Sequence, residues 1–366
     1  MKSVGKVILC VLVLYVCCSF VRAEDLLSEQ AELFGAETLQ DAIPKDTQKL
    51  MDKFSPTESI DLLEGLKTIL YGITEDTVGA LYDSAVLAAR LFFAVVVCQM
   101  VSLWCEKQGS TAALYAGSLS IMVICLENLQ TMVGIGTGAM GELTDFSMML
   151  NPVMAAASAA SGSVSGAGVN YSLTVFFSNL LLQVCNRIIV PIVYAYLALS
   201  LTDTLLHQER LKRLRELLGW GTELVLKVVV YAFTGCLTMT GVLSGSADAA
   251  KLKAAKLTIS GMIPVVGGIV SGAAETVLSG AALLKNTIGT FGMLAVIAIC
   301  LLPFLKLTIS WFCLRITAAL SGLLISPLTG LLEAVSKAMG YLVAMTGSCA
   351  LICMLSCCCY LKVVHI

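Results

Sequence analysis

The sequence predicts an all-α polytopic membrane protein with a cleaved signal, a short exported amphipathic segment and six to eight transmembrane helices. Of the 366 residues, 58% are hydrophobic and 13% are charged, and the mean hydropathy is +0.89. Soluble proteins contain about 45 to 50% apolar and about 25% charged residues. The composition therefore disfavours a soluble enzyme. Nucleic-acid binding is not predicted either, because no stretch combines a dense basic face with interleaved aromatic residues.

The first 23 residues have the pattern of a signal peptide. Lys2 and Lys6 supply a positive start, Val7–Phe20 is apolar, and the next three residues end at Ala23 in the form of a cleavage site. We expect cleavage after Ala23. An uncleaved anchor helix is the alternative, although the apolar run is short for spanning about 30 Å of hydrocarbon.

Residues 24–84 are predicted to form an extracytoplasmic segment of two or three amphipathic helices. This segment carries 14 acidic side chains and four lysines. Ser55 and Glu58 have the spacing of a capping box, and the leucines that follow recur at helical period, which predicts a helix over 57–72. The apolar stripe of this helix could cover the membrane surface, the protein's own bundle or a partner.

The remaining chain contains apolar segments long enough to cross a bilayer. They lie at 85–105, 111–130, 171–203, 220–243, 287–305, 307–327 and 338–361. Residues 85–147 are predicted to be a first transmembrane pair with an outer loop. Three crossings then place loop 207–219 in the cytoplasm. This loop holds four Lys or Arg residues, so the positive-inside bias agrees with an amino terminus outside.

Two tracts, 151–168 and 260–280, are apolar but rich in Gly, Ala and Ser. Each is interrupted by Gly, Ser and Pro, which favours a broken or re-entrant helix over a plain span. Within the second tract, the small-residue spacing allows helix backbones to approach closely. The helix-packing residues predicted there are Pro264, Gly267, Gly268 and Gly272.

A shift of 112 residues superposes the two tracts and aligns Pro152 with Pro264 and Pro191 with Pro303. This predicts an internal repeat. Paired Gly/Pro-interrupted segments at matching positions of two halves indicate a translocation site. The predicted divisions are repeat 1 at 148–243, a linker at 244–259, repeat 2 at 260–361 and a tail at 362–366.

Polar residues inside apolar segments are the candidate functional residues, since an ion costs about 2.5 to 3.5 kcal/mol at a helix centre. Glu275 and Lys285 are about 15 Å apart along a helix and cannot pair if it is straight. The alternative to a pathway or subunit contact is that these residues reach an interface or pair within the bundle. The candidates are Arg187, Glu275, Lys285, Asn286 and Arg315.

Motifs of catalysis are absent from the sequence, which has no phosphate-binding loop, no H-E-x-x-H and no G-x-S-x-G. We therefore predict no enzyme activity, no catalytic residue, no cofactor and no metal. Cysteines cluster from Cys349 to Cys359. One helix face supplies too few ligands for a metal, so packing is the favoured role, with acylation or redox chemistry as the alternative.

The run from Lys256 to Leu305 resembles the signature region of the stage III sporulation protein AE family of endospore-forming Firmicutes. The specific parts are IPVVGG, SGAAETV and LLKNTIGTFG. The stretch MVGIGTGAMGELTDFSMMLNPVMAA from Met132, the exported start and the length extend the resemblance over most of the chain.

The resemblance implies a multi-pass protein of the mother-cell membrane around the forespore, in a channel or secretion-like apparatus needed for endospore formation. The implied partners are the other membrane, ring-forming and ATPase proteins of the stage III operon. The forespore stage II sporulation protein Q would be an indirect partner. The lipid bilayer surrounds the chain, and self-association into a homo-oligomer is a further expectation. The resemblance supplies no catalytic residues.

Three functions stay open on the sequence. The first is a membrane core component of that apparatus. The second is a stand-alone secondary transporter of a small solute or ion, which the repeat and the intramembrane charges support. The third is a membrane scaffold without a pathway.

Overall fold

The computed structural model describes residues 38–56, 60–104, 107–161, 164–206, 209–239, 267–324 and 328–362, and these residues fold into helices without strands. The predicted signal peptide, Pro264 and linker 244–259 lie outside the described residues. The helices are α1 (Thr38–Asp41), α2 (Lys45–Met51), α3 (Leu62–Gly72), α4 (Thr74–Trp104), α5 (Lys107–Ala160), α6 (Val164–Val184), a π-helical turn (Cys185–Ile189), α7 (Val190–Leu206), α8 (Glu209–Met239), α9 (Gly267–Gly322) and α10 (Thr329–Lys362).

Six described stretches are long and apolar enough to cross a membrane, which confirms the all-α polytopic prediction. They are Thr74–Trp104, Thr111–Ala160, Gly168–Leu206, Arg210–Met239, Ala282–Gly322 and Thr329–Leu361. The division of 287–327 into two segments is wrong. Helix α9 (Gly267–Gly322) contains the first segment and the second as far as Gly322, and it continues through Pro303 without a break.

The amphipathic segment packs on the protein's own bundle. Helix α3 begins at Leu62, and the Asp61 carboxylate accepts a hydrogen bond from the Leu63 N–H at 2.9 Å. The predicted helix start at residue 57 is therefore wrong, because the helix begins at Leu62 and Asp61 caps it. Glu58 of the predicted capping box lies outside the described residues. Ile69 is fully buried, and a Cβ atom at Gly65 would lie 2.6 Å from Leu294 of α9.

The bundle is built around α5, α9 and α10, which pack on one another. Helix α4 packs on α5 and α9 at one edge, whereas α8 packs on α6, α7 and α10 at the other. Helices α5 and α9 contain 54 and 56 residues. At 1.5 Å per residue each is about 80 Å long, more than twice the thickness of a hydrocarbon core.

The two small-residue tracts differ in the structure. In the first, α5 ends at Ala160 and α6 begins at Val164, and residues 162–163 between them lie outside the described ones. In the second, the described part from Gly267 onward is continuous helix, so the expected interruption is wrong for residues 267–280. The 112-residue repeat stays a prediction.

Candidate functional site

Five buried polar side chains meet where α5, α6 and α10 pack together, and we call them the polar seam. None is more than 2% exposed. The polar seam consists of Asn151, Asn170, Thr174, Ser356 and Tyr360. Its members come in pairs at i and i+4 on α6 and α10, so each pair lies on one helix face.

Hydrogen bonds join the polar seam across the three helices. The Thr174 hydroxyl donates to Ser356 Oγ at 2.7 Å, and Ser356 Oγ donates to Asn151 Oδ1 at 3.3 Å. Asn170 Nδ2 donates to the Ser356 carbonyl at 3.2 Å, and the Tyr360 hydroxyl donates to the Asn151 carbonyl at 3.5 Å. Such interhelical bonds hold membrane helices together, because a polar group in hydrocarbon has few other partners.

The polar seam retains unused hydrogen-bonding capacity. Asn151 Nδ2 and Asn170 Oδ1 are buried and have no hydrogen-bond partner among the described residues. The hydroxyls of Ser158 and Ser178, on the adjoining turns of α5 and α6, are unpartnered in the same part of the chain. An unsatisfied buried group costs about 1 to 3 kcal/mol, so this region is suited to bind water or a polar ligand.

Lys285 lies in α9 and is fully buried. Its ammonium has no hydrogen-bond partner among the described residues. One turn later, a Cβ atom at Gly289 would lie 2.5 Å from Leu361 and 3.1 Å from Met154. The contacts of Gly289 place Lys285 at the end of the bundle where α9 meets α5 and α10, close in level to Tyr360.

The other predicted site residues are not brought together with Lys285. Arg187, Asn286 and Arg315 are exposed on the helix surface. Glu275 belongs to the same unbroken α9, and its side chain lies outside the described ones. Because α9 has no break, Glu275 stays about 15 Å from Lys285 along the helix axis. Gly267, Gly268 and Gly272 lie in the first two turns of α9.

Arg187 lies in the π-helical turn Cys185–Ile189, in which the Val190 N–H donates to the Cys185 carbonyl. Pro191 follows directly and has no N–H to donate to the Arg187 carbonyl. The wider turn therefore accommodates the proline without breaking the span.

Buried cysteines pack beside the polar seam. The Ser147 hydroxyl donates to Cys353 Sγ at 3.1 Å, and Cys349 Sγ lies 4.0 Å from the Met140 carbonyl oxygen. The structure describes no group of three or more His, Cys, Asp or Glu side chains placed to hold a metal. These contacts support a packing role for Cys349 and Cys353.

The sequence interpretation missed the polar seam. It treated Asn151 as part of a small-residue tract and assigned no role to Asn170. The available signal was the amide side chain itself, because an Asn inside an apolar helix needs a partner as much as a charged residue does. Ser, Thr and Tyr give a weaker signal, since their hydroxyls can bond to their own helix.

Comparison with known proteins assigns a family. A sequence profile described as stage III sporulation protein AE matches residues 47–363. The chain is similar to the stage III sporulation protein AE of Bacillus subtilis (strain 168), with 28% identity over 263 residues. The alignment covers 70% of this chain and 66% of the relative, so the chain spans just under two thirds of that relative. No solved structure matches.

Proposed function

The chain belongs to the stage III sporulation protein AE family, and we propose that it is a membrane core component of the channel or secretion-like apparatus between mother cell and forespore. The family assignment and the six apolar helices support a sporulation protein of the membrane. The proposed location is the mother-cell membrane around the forespore, with the amino terminus extracytoplasmic.

The observation that favours a pathway is the ammonium of Lys285, which has no partner among the described residues and lies close in level to Tyr360 of the polar seam, where donors and acceptors are also unused. A buried cation without a counter-charge destabilises the folded protein. A scaffold that only packs helices would gain nothing from such a cation. A pathway that hydrates in another conformation would solvate this group. Polar residues at membrane depth are typical of substrate and ion routes.

The proposed partners are the other membrane, ring-forming and ATPase proteins of the same operon, with the stage II protein Q acting from the forespore side. The long helices are consistent with such an assembly, because about 80 Å of helix cannot lie wholly within one hydrocarbon core.

The experiment is the substitution Lys285→Met, with forespore reporter activity and membrane abundance measured in sporulating cells. Methionine keeps most of the side-chain length and removes only a charge that bonds to no described residue, so abundance should be maintained. If Lys285 serves a pathway, reporter activity falls several-fold at equal abundance. The matched control is Lys227→Met, since Lys227 is an exposed lysine in α8. Normal reporter activity in Lys285→Met would reject the pathway proposal.

A stand-alone secondary transporter is a second candidate, and the same buried Lys285 favours it. The two functions differ in their dependence on partners. Purified protein in liposomes that moves a solute unaided would favour the transporter. Reporter activity that requires the ATPase and ring-forming proteins would favour the apparatus.

A further inference from the structure

A charged groove opens between α4 and α5 and reaches Lys306 of α9. It consists of two adjoining cavities of about 460 and about 400 Å³, which share Asp83, Asn128 and Thr131. We call it the acidic groove, because its walls carry four carboxylates and two cations. These ionisable residues are Glu75, Asp76, Asp83, Arg90, Glu127 and Lys306.

The charges of the acidic groove are not neutralised by other side chains that the structure describes. None of its six ionisable side chains forms an ion pair with another described residue. Ser84, which is 6% exposed, also lines the acidic groove. The acidic groove is therefore suited to receive a basic partner.

A matching basic surface lies on the first turns of α8. Arg210, Lys212 and Arg213 are exposed there, and we call them the basic face. Arg215 is not part of it, because its guanidinium lies 3.4 Å from the Asp203 carboxylate. Among the described side chains, the three cations of the basic face form no ion pair with a carboxylate.

The acidic groove and the basic face belong to opposite edges of the bundle. Helix α4, which forms one wall of the acidic groove, packs on α5 and α9. Helix α8, which carries the basic face, packs on α6, α7 and α10. One copy of the chain cannot bring these two surfaces together.

The depth of the acidic groove follows from the contacts between α5 and α10. A Cβ atom at Gly117 would lie 3.5 Å from Leu328, and one at Gly136 would lie 3.2 Å from Thr346. Glu127 stands midway between these two glycines on α5. It is therefore level with the middle of the 328–346 stretch of α10.

The basic face lies at nearly the same depth. The middle of the 328–346 stretch is Lys337, and a Cβ atom at Gly219 of α8 would lie 3.3 Å from the Lys337 ammonium. Arg213 precedes Gly219 by six residues, which is about 9 Å of helix. The two surfaces thus lie within about 10 Å of each other along the bundle axis.

We propose that the basic face of one copy of this chain docks into the acidic groove of the next. Opposite charges on opposite edges, at one depth, define a head-to-tail contact between copies related by rotation about the membrane normal. Exposed apolar residues flank both surfaces and extend the contact. They are Val78, Leu81 and Tyr82 beside the acidic groove, and Leu214, Leu217 and Trp220 beside the basic face.

This proposal goes beyond the proposed function, and its test measures copy number instead of sporulation. The groove variant is Glu127→Lys, and the face variant is Arg213→Glu. Native mass spectrometry of full-length protein in detergent should show several copies for the unchanged chain and only single copies for each variant. A mixture of the two variants should recover association, since both of its contacts join opposite charges: the unchanged Arg213 meets the unchanged Glu127, and the two substituted positions meet each other.

The matched control is Glu333→Lys, which reverses an exposed carboxylate on α10 near the same depth. This variant should keep the copy number of the unchanged chain. Larger assemblies in either single variant, or a mixture that does not pair, would refute the head-to-tail contact.

Because detergent can separate the copies, a second measurement is made in native membranes. A photoreactive amino acid in place of Val86, which lines the acidic groove, should crosslink in native membranes to α8 of another copy. Absence of any copy-to-copy product, or crosslinks only to lipid or to a different protein, would overturn the proposal.

Discussion

Replacing Gly289 with a larger residue should loosen the contact of α9 with α5 and α10. A Cβ atom there would lie 2.5 Å from Leu361 Cδ2, 3.0 Å from Leu361 Cγ and 3.1 Å from Met154 Cε. All three distances are well below the ordinary contact of about 3.5 to 4.0 Å. The Leu361 branch carbon is itself in the way, so rotation of the terminal methyl groups cannot remove the overlap.

The expected loss of stability for Gly289→Ala is the sum of two opposing effects. Overpacking a well-packed site costs about 1 to 3 kcal/mol. Alanine in a helix interior recovers about 1 kcal/mol relative to glycine. We therefore expect a net destabilisation of about 0 to 2 kcal/mol, and more for Gly289→Val. The control is Gly138→Ala in α5, where the new methyl group would meet nothing within 4 Å. This change should not destabilise the protein.

The assay is thermal unfolding in detergent, followed by the loss of helical signal. A double variant tests the cause, because Leu361→Ala makes room for the new side chain. In combination with Gly289→Val, it should destabilise less than the sum of the two single changes. Strict additivity, or a Gly289→Val variant as stable as the unchanged chain, would refute the packing argument.

Three further predictions address the topology, the polar seam and a partly exposed ion pair. Single cysteines at Ser55 and Gln208 in a cysteine-free variant should react with an impermeant reagent from opposite sides; labelling of both from one side would contradict the topology. Ser356→Ala removes two interhelical hydrogen bonds and should lower stability by about 1 to 2 kcal/mol, whereas an unchanged unfolding temperature would exclude a stabilising seam. Asp203→Asn weakens the ion pair with Arg215, in which both side chains are 18% exposed, and should lower the free energy of unfolding by less than about 1 kcal/mol. A larger loss of stability would contradict the assignment of this pair as a partly exposed one.

Hydropathy was sufficient to predict the helical class and the membrane spans, because lipid leaves few other folds for so apolar a chain. The prediction from hydropathy was wrong at Lys306. The single charge of this residue was placed at the boundary between two predicted segments, 287–305 and 307–327. In the structure Lys306 lies inside α9 and lines the acidic groove, a setting more polar than lipid. A charge in an apolar run therefore did not mark the end of a helix.

The candidate site was predicted only in part, for a related reason. Among the predicted residues with described side chains, Lys285 is buried, whereas Arg187, Asn286 and Arg315 are exposed. An all-apolar helix has no polar stripe from which to recognise the side that faces the bundle. The partners of Asn151 lie about 200 residues further along the chain, and no local pattern connects residues at that separation.

The bundle exposes more apolar surface along its length than one bilayer can cover. Along the bundle axis, apolar side chains are exposed both before and after the acidic groove, for example Phe93 and Leu119 in one direction and Tyr231 in the other. One hydrocarbon core of about 30 Å cannot cover a bundle of about 80 Å. If the groove level coincides with a membrane surface, the positive-inside bias places the basic face in the cytoplasm. The apolar hairpin of α4 and α5 then extends beyond the hydrocarbon core, where exposed apolar surface of this extent requires a protein cover. A neighbouring copy docked at the acidic groove would provide part of that cover.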